Sequence, residues 1–165
     1  MSNKLEQIQK KIYELHDLQL LVNQWHMLSR KVVFTNGCFD IMHRGHNTYL
    51  LQAAEFGNKL VVGVNSDDSV RRLKGESRPV IDQYSRAFNL ASHTFVDAVI
   101  LFDEDTPEKL IESLRPDVLI KGGDYTLETI VGAQQVLDYG GQVEIIPFLE
   151  GYSTTNIVNK MNADS

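Results

Sequence analysis

The chain has 165 residues, 42% of them hydrophobic and 23% charged, a balance that fits one globular domain with a core of ordinary size and excludes wholesale disorder. Its 16 Lys and Arg stand against 22 Asp and Glu, a net charge of -6 that excludes a broad nucleic-acid footprint but leaves room for an anion site where cations are concentrated. The single Cys38 has no internal disulfide partner, no apolar run reaches transmembrane length, and the N-terminus alternates charge with hydrophobes, so a cytoplasmic protein without a membrane association is expected.

Residues 1–30 carry Leu5, Ile8, Ile12, Leu15, Leu18 and Leu21 or Val22 at spacings of three and four, which predicts an amphipathic helical extension broken near His16 and Asp17. The stripe is assigned to packing on the domain's own flank; the alternative is a homodimer contact or a cap over a cleft. Residues 31–161 form the main domain, and residues 162–165 are expected to fray.

That domain opens with Val32-Val33-Phe34, a short buried strand, followed by Thr35-Asn36-Gly37-Cys38-Phe39-Asp40 and then His43-Arg44-Gly45-His46 at the start of a helix. Histidines three positions apart share a helix face, and Gly45 between them lets a ligand approach the backbone. The free N–H groups and positive dipole of a helix N-terminus favour phosphate. The stretch therefore reads as a phosphate site with two imidazoles aimed into it. Cys38 stands beside it without a thiolate-activating arrangement and is assigned no nucleophilic role.

After the helix over 44–56, Lys59 to Val64 is a continuous apolar run suited to a strand buried on both faces. Arg71, Arg72, Lys74 and Arg78 crowd the segment 69–79, read as a mobile loop whose cations meet phosphates, with Gly75 as its hinge. A helix over 83–93 bears Arg86, and residues 96–101 form the third strand. Asp103, Glu104 and Asp105 before Pro107 read as caps of the next helix, because they lack metal-ligand spacing. The fourth strand, Asp117 to Ile120, runs into Lys121-Gly122-Gly123-Asp124, where glycines would let backbone approach a base or ribose and Asp124 could accept from an amino group or hydroxyl. A helix over 130–139 precedes the fifth strand, residues 142–147, whose Pro147 marks its end or an edge position. Gly151-Tyr152-Ser153-Thr154-Thr155 then opens a last helix to Met161, where hydroxyls and amides would form a second phosphate cradle. Strands alternating with helices give a Rossmann-like, doubly wound, five-stranded parallel sheet.

The Asn36-Gly37-Cys38-Phe39-Asp40 and His43-Arg44-Gly45-His46 pair resembles the H-x-G-H signature of the nucleotidyltransferase superfamily. With Val64-Asn65-Ser66-Asp67, Arg72-Leu73-Lys74-Gly75, Arg78-Pro79, Lys121-Gly122-Gly123-Asp124-Tyr125 and Gly151-Tyr152-Ser153-Thr154-Thr155, the chain from Lys31 to Met161 is similar to the D-glycero-β-D-manno-heptose 1-phosphate adenylyltransferases, found alone or as the second domain of a bifunctional heptose kinase and adenylyltransferase. The resemblance implies strand order 3-2-1-4-5 with the first strand at the switch point. It implies transfer of AMP from ATP to heptose 1-phosphate, with Mg²⁺ carried mainly by the ATP phosphates and no metal ligands on the chain.

It places His43, His46 and Lys74 in catalysis. It places Thr35, Asn36, Gly37, Phe39, Arg86, Gly123, Asp124, Ser153, Thr154 and Thr155 in nucleotide binding. Relatives often carry a Lys or Arg with the Ser/Thr motif; Tyr152 and Asn156 supply no charge, which leaves that task to Lys74 or a neighbour. Rival readings are a glycerol-3-phosphate cytidylyltransferase and a nucleotide-binding regulatory module without turnover. A tRNA synthetase lacks room and a basic surface here.

Overall fold

The computed structural model describes residues 3–149 and 151. Its framework is a sheet of six parallel strands: β1 (Ile12–Tyr13), β2 (Val32–Gly37), β3 (Lys59–Asn65), β4 (Ala98–Phe102), β5 (Val118–Gly122) and β6 (Gln142–Ile146). The spatial order is β1-β4-β3-β2-β5-β6. Strands β2 to β6 are the five read from the sequence, in the order 3-2-1-4-5 once they are numbered without β1. The helices are α1 (Lys4–Gln9), α2 (Leu15–Met27), α3 (Arg44–Ala54), α4 (Asp67–Lys74), α5 (Gln83–Ala91), α6 (Glu108–Leu114) and α7 (Ala133–Asp138).

The central strands are apolar on both faces because helices cover both faces. On one face Leu18, Val22 and Trp25 of α2 and Ile111 and Leu114 of α6 pack on Phe34, Val61 and Leu119; on the other Tyr49, Leu50 and Ala53 of α3 and Ala87 and Leu90 of α5 pack on Val33, Val62 and Ile120. Each fully buried aliphatic side chain contributes about 1.5–3 kcal/mol relative to exposure.

Two sequence expectations need correcting. The N-terminal extension is not purely helical: between α1 and α2 the chain extends, and Ile12 and Tyr13 pair with Val99 and Ile100. The Val99 N–H donates to Lys11 O at 2.8 Å, and Lys11 Nζ donates to the carbonyls of His93 and Val96. A stripe at three- and four-residue spacing runs through a two-residue strand without a break in period, so the pattern concealed it. The physical gain is coverage of the β4 edge, which would otherwise offer unpaired backbone groups. The basic segment after β3 is helical through Lys74 rather than a loop: Ser66 caps α4 by accepting from Ser69 N, and Ser69 and Val70 are buried beneath it.

Strand β2 lies between β3 and β5, so connections leave it in both directions and a crevice opens at its carboxyl end, where ligands of doubly wound sheets bind. β6 ends at Ile146, just before Pro147, and is an edge strand. Ser153, Thr154 and Thr155, with the expected final helix, lie outside the described residues.

Candidate active site at the carboxyl end of β2

A cavity of about 410 Å³ opens where β2 and β5 end, lined among others by Asn36, His46, Lys74, Lys121, Tyr125 and Phe148. A second cavity of equal volume lies at the opposite end of the sheet, against His26, Arg30, Lys31, Arg115 and Asp117. It contains none of the motif residues, and its Asp117 is engaged in structure, accepting the Val32 N–H at 2.7 Å. Position at the switch point selects the first cavity.

The two histidines meet over the end of β2. His43 is the N-cap of α3, and its Nδ1 accepts the Gly45 N–H at 3.1 Å. Accepting at Nδ1 leaves Nε2–H as the donor of a neutral imidazole. The His43 and His46 rings lie 4.0 Å apart between centroids, and the edge of Phe39 approaches His46 at 5.8 Å. Phe39 sits at φ 47, an unfavourable backbone for an aromatic residue, which sets its ring under the histidine and against Gly37.

Burial, then the nearby His43 and Lys74 charges, push the His46 imidazole down to about 4; burial also lowers His43. Both rings are therefore neutral donors at neutral pH before an anion arrives. His46 Nδ1 is buried with no hydrogen-bond partner among the described residues.

Asp40 anchors this arrangement. Its carboxylate, 2% exposed, accepts from the N–H groups of Val80 and Ile81 at 2.9–3.0 Å and from Arg78 at 2.8 Å. It thereby ties the segment after α4 to the β2–α3 turn. Arg86 completes the tie: fully buried, it donates to Ile81 O, to Cys38 O at 2.6 Å and to Asp67 at 2.7 Å. The expectation that Arg86 meets nucleotide phosphate is corrected by this placement, since its guanidinium is held inside by protein partners.

Thr35 is also enclosed. Its hydroxyl lies 2.6 Å from the Tyr49 hydroxyl, which donates to Ile120 O at 3.4 Å, and burial raises the Tyr49 phenol to about 12. Side chains alternate along a strand, so Thr35 faces the α3 layer while Asn36 faces the other side and reaches the cleft. Thr35 thus positions α3 rather than a ligand.

Of the basic cluster, Arg71 pairs with Asp68, and Arg72 pairs with Asp103 and with Asp105 at 2.8 Å. Asp103 and Asp105 therefore neutralise Arg72, and Glu104 pairs with Lys109 of α6 at 3.1 Å, while the N-cap of α6 is Pro107 and its first turn carries Glu108. Lys74, at the last turn of α4, lines the cleft and makes no ion pair among the described residues. Gly75 follows it at φ +96 with open space around it.

At the end of β5 the structure brings Lys121, Gly122 and Tyr125 to the cavity wall but not Gly123 or the exposed Asp124. Gly122 is required by crowding: a Cβ there would meet Phe148 at 2.7 Å and Tyr49 at 2.9 Å. Gly123 donates its N–H to Ile146 O and extends the sheet. Sequence reasoning missed Asp40, Tyr49, Lys121 and Phe148 as contributors. Asp40 and Lys121 stood inside quoted motifs, whereas nothing local marks Tyr49 or Phe148.

Comparison with known proteins identifies the family of the chain. The cytidylyltransferase-like family model matches residues 34–160. The bifunctional protein HldE of Geobacter metallireducens is 53% identical over 151 residues, 92% of this chain and 31% of that protein. HldE of Geobacter sulfurreducens is 58% identical over 132 residues, 80% of this chain and 27% of its own length. The chain thus spans about a third of the length of these curated relatives. Among solved structures, the lipopolysaccharide core biosynthesis protein of Thermoplasma volcanium has TM-score 0.59 and 30% identity, covering 75% of this chain and 99% of that one. A pantoate-β-alanine ligase from Francisella tularensis has TM-score 0.61 at 14% identity, over 92% of this chain and 77% of that one, a likeness of fold alone.

Proposed function

Because the chain belongs to the cytidylyltransferase-like family, we propose that it transfers AMP from ATP to D-glycero-β-D-manno-heptose 1-phosphate, giving ADP-heptose and pyrophosphate for lipopolysaccharide core biosynthesis. The observation that carries the reading is the pair of adjoining, neutral histidines at the N-terminus of α3, rings 4.0 Å apart and tilted by 32°, beside a cation that has no ion-pair partner among the described residues, Lys74. The match to HldE proteins supports the heptose acceptor.

In the reaction an oxygen of the acceptor phosphate attacks the α-phosphorus, and the bond to the bridging oxygen breaks to release pyrophosphate. The acceptor is already an anion, so no base has to activate it. The work left to the protein is to bring two anions together and to stabilise the charge that grows on the α-phosphate. His43 and His46 donate to the α-phosphate oxygens. The amides at the start of α3 add their dipole, and Lys74 neutralises the β- and γ-phosphates. An arriving polyphosphate also opposes the lowering of the His46 pKa, which favours the ring as a donor to phosphate oxygen.

The cavity carboxylates Asp40 and Asp105 are engaged by Arg78 and Arg72, and among the described residues no cluster of three His, Cys, Asp or Glu could hold a metal. Mg²⁺ would enter on the ATP phosphates, where it would supply positive charge to the polyphosphate. No helix among the described residues is long and apolar enough to cross a membrane.

The rival of the same reaction class is CTP with glycerol 3-phosphate. Pyrophosphate release measured for ATP and CTP against heptose 1-phosphate and glycerol 3-phosphate separates them: the reading predicts turnover for ATP with heptose 1-phosphate. Release with CTP and glycerol 3-phosphate alone would replace it, and no release with any pair would leave a binding module.

A further inference from the structure

One cation in the cleft has no task in the chemistry above. Lys121 ends β5, and its Nζ donates to Asn36 Oδ1 at 3.1 Å and lies 5.6 Å from the centre of the Tyr125 ring. Arg72, Arg78 and Arg86 each face a carboxylate, but Lys121 has none among the described residues. Burial pushes its ammonium below the usual lysine range. A partly buried cation held by an amide oxygen and an aromatic face, with the neighbouring Cys38 favouring its charge too little to cancel the effect of burial, keeps much of its desolvation cost, which an anionic ligand would offset.

The topology says which ligand. β3 and β5 flank β2 on opposite sides. Lys74 comes from the helix that follows β3, whereas Lys121 comes from β5. Alternation along the strands adds a second separation. Leu119 and Phe34 lie in the core layer covered by α2 and α6, so Lys121 and Asn36, two positions on, rise on that face. The histidines come from α3, which packs on the other face with Ile120. The cleft therefore has one cationic pole on the α3 and β3 side, suited to the nucleotide polyphosphate, and a second on the β5 side.

We infer that Lys121, steered by Asn36 and Tyr125, binds the phosphate of the acceptor, a sugar phosphate monoester, and holds it for attack on the α-phosphorus. The inference rests on the nucleotidyl-transfer reading but makes a separate claim about which substrate this amine touches. Losing one charge-assisted hydrogen bond should weaken the contact by about 10- to 100-fold.

The test is Lys121→Met, with Lys121→Arg as the charge-conserving control. The acceptor kcat/KM of Lys121→Met should fall by about 10- to 100-fold, with partial recovery in Lys121→Arg, while the ATP dissociation constant measured without acceptor stays within about twofold. An unchanged acceptor kcat/KM, or a loss confined to ATP affinity, overturns the inference. A readout on the unaltered chain covers a variant that fails to fold: acylation of Lys121 by acetic anhydride, followed by mass spectrometry, should be slowed by heptose 1-phosphate and by inorganic phosphate but not by ATP. Protection by ATP alone contradicts the claim. If the unaltered chain turns over no sugar phosphate, the functional reading fails by itself, and protection by inorganic phosphate still reports on Lys121.

Discussion

Replacing Asp40 with Asn tests whether the β2–α3 turn is held by charge or by shape. The carboxylate accepts two backbone N–H groups and the Arg78 guanidinium, with Asp40 2% and Arg78 16% exposed. Asn is nearly isosteric, but it offers one acceptor oxygen where the site points only donors, so its NH₂ group must face an N–H or the guanidinium. Breaking one partner of a buried ion pair costs about 3–5 kcal/mol, and hydrogen bonds to a charged group about 1.5–3 kcal/mol each. Because Arg78 can turn toward water, the expected loss is near the lower figure, about 3 kcal/mol. For a domain of this size that corresponds to a fall in Tm of about 6–12 °C. Urea unfolding with a shared m-value gives the free energy, and a cycle with Arg78→Met isolates the pair. A loss below about 1 kcal/mol would refute the claim that this carboxylate anchors the segment over residues 78–81.

Arg86→Met leaves Asp67 and the Cys38 carbonyl without their buried donor, and should cost about 3–5 kcal/mol with unchanged m-value in urea unfolding. Tyr49→Phe removes the bond to Thr35 and should cost about 1 kcal/mol by the same measurement, leaving nucleotide affinity intact in calorimetry. The buried His46 gives a pH signature. Its folded value of about 4 lies below the ordinary imidazole value of 6.5, so between these pH values the unfolded chain binds a proton that the folded chain refuses. Stability from this group is therefore present above 6.5 and lost as pH falls toward 4. After discounting for partial exposure, the loss is about 1–2 kcal/mol. His46→Asn should flatten the pH dependence of ΔG across that window, and an unaltered slope would show that the ring is not buried in its neutral form.

The parts of the fold legible in the sequence are those in which one face of the pattern decides the outcome. Strands β2 to β5 announce themselves as apolar runs because both their faces are covered, β6 is a half-buried edge strand with Gln142 and Glu144 among its apolar residues, and His43-Arg44-Gly45-His46 declares a helix start through its position after β2. What stayed hidden depends on partners distant in sequence. Ile12 and Tyr13 are strand only because β4 presents an edge, with Val99 and Ile100 each 87 positions later. Arg71, Arg72 and Arg78 read as an anion-seeking cluster until Asp68, Asp103, Asp105 and Asp40 are found opposite them. Arg86 and Thr35 sit next to the site in sequence pattern, yet the period of their elements turns both inward. Lys121 stands inside the motif at the end of β5, but that it rises into the cleft follows from strand alternation two residues beyond a core leucine.

The central claim is that His43 and His46 form the α-phosphate half of a nucleotide site. Its most direct test is pyrophosphate release from ATP and heptose 1-phosphate by the unaltered chain and by His46→Ala, with circular dichroism confirming the fold of both. The account predicts release that needs both substrates and falls by about 100- to 1,000-fold in the variant. Turnover by His46→Ala within a few-fold of the unaltered chain would contradict it.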